Sequence, residues 1–243
     1  SHCDFDGIGC QIVLGNVYPN IEYITTEFYN IDKTLREIDP QAYDFVFVTD
    51  IHPEDPSLLD HENLIFIDHH PSEYHNPKLN RFVVSDKNRS ATSLVQQYLS
   101  RMYPKLNLSH LDQLTSLVDD YDIWIKRFPR STFVNELLWN MYKPNEFRKR
   151  FMDGNMRLTK REIALVRSQK EKFDEFFEQI TVCDFDTIKG CVLIADQFIN
   201  EVASKLMKEH GYNLVIVRLP NKDRASVRGN LPEIKIGKIL TEL

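Results

Sequence analysis

Apolar and polar residues follow two rhythms along this chain. Short apolar runs at 21–25 (IEYIT), 45–49 (FVFVT) and 64–68 (LIFID) each lead into a polar or proline-bearing turn, as buried strands do. Between and after them, apolar residues recur at helical spacing over 7–18, 31–38, 91–103 and 109–122. Residues 130–152 read as further short helices. Residues 157–180 read as one long amphipathic helix, with Ile163, Val166, Phe173, Phe176, Phe177 and Ile180 near one face. The β rhythm then returns in ITVCDF, CVLIA (191–195), NLVIV (213–217) and ASVRG (225–229), with a helix at about 198–210. Strand–helix alternation of this kind predicts an α/β protein with an open, mostly parallel sheet. The expected organisation is a first domain over 1–154, a connecting helix over 155–180 that sets a cleft, and a smaller α/β domain over 181–243.

Ligands of such sheets bind beyond the carboxyl ends of the strands. Asp50 and Asp68 fall at two of those ends. His2, Asp4 and Asp6 are expected at the end of another strand, one that starts upstream of Ser1. Side chains at i, i+2 and i+4 of a strand share a face, so these three are expected to look into one space.

Composition narrows the field. The 243 residues are 42% hydrophobic and 27% charged, which fits a globular protein rather than a disordered or fibrous one. No apolar run approaches the ~18–20 residues of a membrane span, so no membrane partner is expected. The net charge of −6 argues against a protein that coats duplex nucleic acid. Four cysteines without a CxxC pair suggest neither a disulfide framework nor a zinc site. With no signal peptide visible, the expected compartment is the cytoplasm. The chain opens on SHCDFDG without Met, and natural residues upstream are expected.

Four clusters carry chemistry. His2-Cys3-Asp4-Phe5-Asp6 offers an imidazole and two carboxylates, a donor set for Mn or a similar divalent ion. Asp50 closes FVFVT, and Asp68-His69-His70 closes LIFI. Asp119, Asp120 and Asp122 gather at the end of a helical pattern, where negative charge opposes the helix dipole and calls for a cation or a function. Crowded carboxylates repel one another unless cations offset them. Two divalent ions about 3.5–4 Å apart do so, and can activate water against a phosphoryl group. Cys3 should point away from His2 and Asp4 and is read as packing. No GxxxxGK[ST] loop occurs. Ser90 and Thr92 are expected to cap a helix starting near Ala91, whose N-terminus could also take a phosphate. Arg224, Ser226 and Arg228 alternate onto one strand face, where arginine forks suit phosphate. Trp124, Trp139 and the phenylalanines of the long helix are read as core or interdomain packing.

HCDFDG, VTD, DHH, SATSL and YDIW, in that order, resemble the motifs of the DHH phosphoesterase superfamily. The nanoRNase B-type oligoribonuclease branch, itself similar to RecJ-type exonucleases, is the nearest in pattern. The resemblance implies a two-metal phosphodiesterase, Mn-dependent with Mg or Co as alternatives. Its substrates would be short single-stranded oligonucleotides, cut to nucleoside monophosphates. It implies that His2, Asp4 and Asp50 hold one ion and that Asp6, Asp50, His69 and Asp122 hold the other, with Asp50 bridging. His70 would contact phosphate and Asp68 would orient a histidine. Arg224, Ser226 and Arg228 would hold substrate. A cyclic- or linear-dinucleotide phosphodiesterase is one alternative, and a non-catalytic nucleic-acid-binding module is another. The sequence departs from the pattern at its end: IKIGKILTEL reaches Leu243 without the family's glycine-rich loop. RNA or DNA preference, cleavage polarity and oligomeric state are not legible.

Overall fold

The computed structural model describes residues 1–70, 88–185, 189–220 and 225–229. Those residues form an α/β protein whose chain divides into two compact units, Ser1–Val166 and Arg167–Leu243.

In the first unit, α1 (Phe5–Gly15) is buried from Phe5 through Leu14 and is therefore apolar nearly all round. It packs on α3 (Ala91–Met102), α4 (Asp112–Asp122) and α6 (Pro144–Phe151) in one core, to which α5 (Pro129–Asn140) adds Val134, Leu137 and Leu138. Two parallel strands, β1 (Val46–Thr49) and β2 (Leu64–Ile67), pair in register from Val46↔Leu64 to Thr49↔Ile67. Every residue of β2 is buried. Ile65 and Ile67 face the helical core, while Leu64 and Phe66 face a second core shared with Ile31 and Leu35 of α2 (Ile31–Glu37). A strand covered on both faces needs a continuous apolar run, which is what LIFI supplies.

In the second unit, β3 (Cys183–Phe185), β4 (Gly190–Ile194), β5 (Leu214–Arg218) and β6 (Ala225–Gly229) form one mixed sheet in that order. Its centre is parallel and its edges antiparallel. α8 (Ile199–Glu209) contributes Val202, Ala203 and Leu206 to a core with Cys191, Leu193, Val215 and Val217.

α7 (Lys160–Glu178) belongs to both units by sequence. Val166 sits in the first unit's helical core, and Phe173, Phe176 and Phe177 pack on the second unit's core. Ile163, expected on the apolar face, is exposed. An apolar pattern that serves two cores need not keep one continuous stripe.

Two further expectations are corrected. Residues 21–25 form no strand. Their neighbour is Ser1-His2, through a single parallel bridge His2↔Thr26 and the bonds Thr26 N–H to Ser1 O (3.0 Å) and Ser1 N to Ile24 O (3.1 Å). On the β1 side an apolar cavity of about 440 Å³, lined by Tyr23, Ile24, Leu35, Phe45 and Phe47 among others, lies where a ladder would run. The two tryptophans are not core residues either. Trp124 is 37% exposed and Trp139 59%. Trp124 instead flanks Lys126, whose Nζ lies 3.8 Å from its ring and 3.4 Å from that of Tyr121.

Candidate metal centre

The HCDFDG motif is not a strand. His2 forms the bridge to Thr26, Asp4 is the N-cap of α1, and Asp6 lies in its first turn. Asp4 Oδ1 accepts from Gly7 N–H at 3.0 Å, while Oδ2 lies 2.9 Å from His2 Nδ1. Capping favours carboxylate at this end of a helix, since the dipole is positive there. Gly7 is required because a Cβ would run into the backbone of His2. A helical start, rather than i, i+2, i+4 alternation, turns these residues inward.

Asp50 follows β1 with φ of 57°, a left-handed conformation that only a few non-glycine types tolerate well. Asp68 follows β2. Both carboxylates are almost fully buried at the carboxyl ends of parallel strands. Asp50 stands between two groups of side chains. Its Oδ2 lies 3.8 Å from His2 Nδ1, and its Oδ1 lies 3.5 Å from His69 Nε2 and 4.0 Å from His70 Nδ1. His69 Nε2 is also 3.6 Å from Asp6 Oδ2 and 3.2 Å from Asp122 Oδ2. Ligand atoms within 4.8 Å of one another fall into the sets His2–Asp4–Asp50, Asp6–His69–Asp122, Asp50–Asp68–His69–His70 and His2–Cys3–Glu27, the last of which brings Cys3 Sγ near His2 rather than away from it as expected.

The electrostatics of this cluster are unbalanced. Burial, then the neighbouring carboxylates of Asp6 and Asp4, push the Asp50 carboxyl well above its usual range. Burial also raises Asp6, with His69 partly opposing it. Asp122 is driven up to about 8 by burial and by Asp6 and Asp4. Asp50 Oδ2, His69 Nε2 and Asp122 Oδ2 are buried without a hydrogen-bond partner. Orphaned buried donors and acceptors are rare in folded proteins. Here they converge, and their nitrogen and carboxylate character suits hard to borderline divalent ions. The residues present thus fit a metal ion, and these clusters can bind one.

The surrounding groups hold the cluster in place. Burial disfavours the charged form of Asp68, but the imidazoles of His52 and His70 beside it, the latter hydrogen-bonded to it, outweigh burial and hold its pKa below the usual carboxylate range. Asp68 Oδ1 lies 2.8 Å from His70 Nδ1 and accepts from His69 N–H at 2.9 Å, while Oδ2 lies 3.4 Å from His52 Nδ1. Asp68 therefore sits where an orienting carboxylate behind a histidine belongs. His52 and Glu27 were not expected at the site. His52 follows Asp50 by two residues in VTDIHP, a signal that could have been used. Glu27, 3.6 Å from His2 Nε2 and accepting from Cys3 Sγ at 2.9 Å, has no local sequence signal.

Ser90 is the N-cap of α3, as expected, and the donors at the start of that helix are taken up by protein groups. Asp6 fills the N-terminus of α3, accepting from Ala91 N–H and Thr92 N–H at 2.7 Å each, and Thr92 Oγ1 donates to the Asp6 carbonyl at 2.8 Å. Ser90 caps α3 through Ser93 N–H and donates its hydroxyl to Asp119 at 2.6 Å. Both residues are wholly buried and their donors are spent on protein. Asp119 is likewise accounted for by Ser90 and Ser93. Asp120 is accounted for by Arg127 N–H, Phe128 N–H and the Ser131 hydroxyl. Only Asp122 of that acidic trio reaches the cluster.

In the second unit, Ser226 and Arg228 of β6 stand opposite Val217 and Val215, so they share a face as the alternation predicts. Arg228 Nη2 donates to Asn200 Oδ1 at 2.8 Å. Arg224 lies outside the described residues, as does the segment IKIGKILTEL.

No family model and no curated protein matches this sequence. Solved structures do match the fold. One is the pGpG-specific phosphodiesterase PggH from Vibrio cholerae, 14% identical with a TM-score of 0.58, covering 99% of this chain and 86% of that one. Another is an uncharacterized protein from Helicobacter pylori G27, 17% identical with a TM-score of 0.49, covering 99% of this chain and 87% of that one. At such identities the likeness is one of fold. No helix among the described residues is long and apolar enough to cross a membrane.

Proposed function

We propose that this chain is a metal-dependent phosphodiesterase of the DHH type that hydrolyses short single-stranded oligonucleotides, dinucleotides among them, to nucleoside monophosphates. The observation that carries the reading is Asp50, buried, with one carboxylate oxygen toward His2 and the other toward His69 and His70. A carboxylate so placed can serve two ligand sets. We assign His2, Asp4 and Asp50 to one divalent ion and Asp6, Asp50, His69 and Asp122 to a second, with Mn favoured by the mixed nitrogen and oxygen donors and Mg or Co as alternatives. Asp6 can serve both α3 and an ion, because each carboxylate oxygen accepts more than once. The fold shared with a pGpG phosphodiesterase supports the dinucleotide as a substrate.

The bound ions would neutralise the carboxylates, polarise the phosphodiester and make water a stronger nucleophile. The rest falls to the chain's own residues. Asp68 fixes His70 through Nδ1, which leaves Nε2 for a phosphate oxygen. Attack of water on phosphorus breaks the bond to the leaving nucleoside oxygen, which takes up a proton. Ser226, Arg228 and Arg224 are assigned to substrate phosphates on the strength of the motif resemblance. The non-catalytic alternative is disfavoured, because none of the assigned metal ligands has been replaced by a side chain unable to bind an ion.

Hydrolysis of pGpG and of di- to pentaribonucleotides with Mn²⁺ tests the proposal, with Asp50→Asn as the control. Release of monophosphates by the unaltered chain and at least a ~100-fold loss in the variant is expected, given what one electrostatic contact contributes to such steps. No release from any of these substrates overturns the enzyme reading. Undiminished release by Asp50→Asn overturns the metal assignment.

A further inference from the structure

Among the described residues, Phe28 is the one phenylalanine, tyrosine or tryptophan whose ring lies against the histidines of the cluster. It opens a short 3₁₀ turn, Phe28–Asn30, just after Glu27. Its ring centroid lies 4.8 Å from that of His2, 5.7 Å from His70 and 6.0 Å from His52. Yet it takes part in none of the three hydrophobic cores, and 40% of its surface is exposed. Tyr29 beside it is 74% exposed.

Two facts speak against simple packing. Packing aromatics are placed to remove their area from water, and this one leaves much of it in water beside a charged site. The three imidazoles meet it at 53°, 89° and 69°, so none of them lies parallel on it. A tilted or edge-on contact leaves a ring face available for an offset parallel stack. The exposed part of the ring lies beside the same histidines that would hold a phosphodiester, so a flat, π-rich group attached to that phosphodiester has an aromatic surface next to it.

We propose that Phe28 is a stacking platform for a nucleobase of the substrate, and that it makes the site select nucleotides over other phosphodiesters. The inference rests on the phosphodiesterase reading, and deepens it by naming what is recognised beyond the phosphate. Aromatic stacking tolerates any base, because every base has a π face. It therefore selects for nucleotides without specifying sequence.

The test compares pGpG with an analogue that keeps the phosphodiester but lacks both bases. Phe28→Ala and Phe28→Trp are measured for KM and kcat on each, and for Mn²⁺ affinity by electron paramagnetic resonance. In the unaltered chain pGpG should have the lower KM. Phe28→Ala should collapse that preference by about ten-fold or more, mainly through KM, and Phe28→Trp should restore it. Mn²⁺ affinity should not follow the substitution. Equal KM values in the unaltered chain overturn the proposal. So does an equal loss on both substrates, or weakened Mn²⁺ binding in Phe28→Ala, since either makes the ring a buttress for the histidines. If the unaltered chain cleaves neither substrate, binding of GMP against ribose 5-phosphate decides. A GMP preference lost in Phe28→Ala keeps the platform while the hydrolase reading falls, and no preference overturns the platform as well.

Discussion

Asp50→Asn separates a metal ligand from a structural residue by the sign of its effect on stability. Asp50 is 1% exposed, and its Oδ2 has no hydrogen-bond partner. Burial and the carboxylates of Asp6 and Asp4 raise its pKa well above the normal range, so its charge opposes folding when no cation is present. Asn matches its volume, removes the charge, and tolerates the left-handed backbone at φ 57°. The metal-free variant should therefore be at least as stable as the unaltered chain. With metal the order reverses. An ion at one hundred times its dissociation constant stabilises the bound state by about 2.7 kcal/mol. For a chain of this size that is a rise in Tm of roughly 5–10 °C. Differential scanning calorimetry after chelation, and again with excess Mn²⁺, should show such a rise in the unaltered chain and less than half of it in the variant. An equal rise in both would refute the bridging assignment. A metal-free variant melting more than about 5 °C below the unaltered chain would show that Asp50 holds the fold, and the charge argument would fail.

Three further outcomes follow, two from contacts away from the proposed metal centre and one from the backbone that positions it. Glu162 is buried; burial raises its pKa, but Arg150, the Thr159 N–H and Tyr142 outweigh it and hold the carboxyl down at about 2. A depressed carboxyl stabilises the fold above its unfolded pKa near 4.5 and stops doing so as pH falls toward 2, so Glu162→Gln should cost about 2–3 kcal/mol in urea titrations at pH 7 and much less at pH 2.5. Asp120→Ala leaves Arg127 N–H and Phe128 N–H without their acceptor at the start of α5, with the Ser131 hydroxyl falling back on the Phe128 carbonyl, and a loss of about 2–4 kcal/mol is expected by chemical denaturation. Gly7→Ala drives a methyl group into the His2 backbone, and should weaken Mn²⁺ binding measured by calorimetry more than ten-fold, whereas Ala at exposed helix positions changes little.

Most of the architecture could be read from the residues in order. β1, β2, α3, α4, α7 and the alternation of the second unit lie where apolar spacing placed them, because burial against a sheet or along one helix face requires those periods. The strand expected at 21–25 did not form, since a ladder needs a partner edge and a cavity lies on its β1 side. Neither tryptophan is buried, because helical spacing fixes a direction around the axis but not what lies there.

The sequence by itself determined which side chains are chemically apt to bind a metal: those of His2, Asp4, Asp6, Asp50, His69 and Asp122 are among them, in order along an α/β chain, with Asp68 beside the histidines. Only the tertiary structure decided how they divide. Asp119 and Asp120 look identical to Asp122 in sequence, yet hydrogen bonds to Ser90, Ser93, Ser131 and the start of α5 use them, while Asp122 turns to His69. Asp6 was legible as a carboxylate but not as the group that fills the N-terminus of α3, and Glu27 and Phe28 reach His2 from elsewhere in the chain. The reason is physical: covalent order sets the chemistry each residue offers, whereas distances of three to four ångströms between residues far apart in sequence exist only once packing has closed the chain.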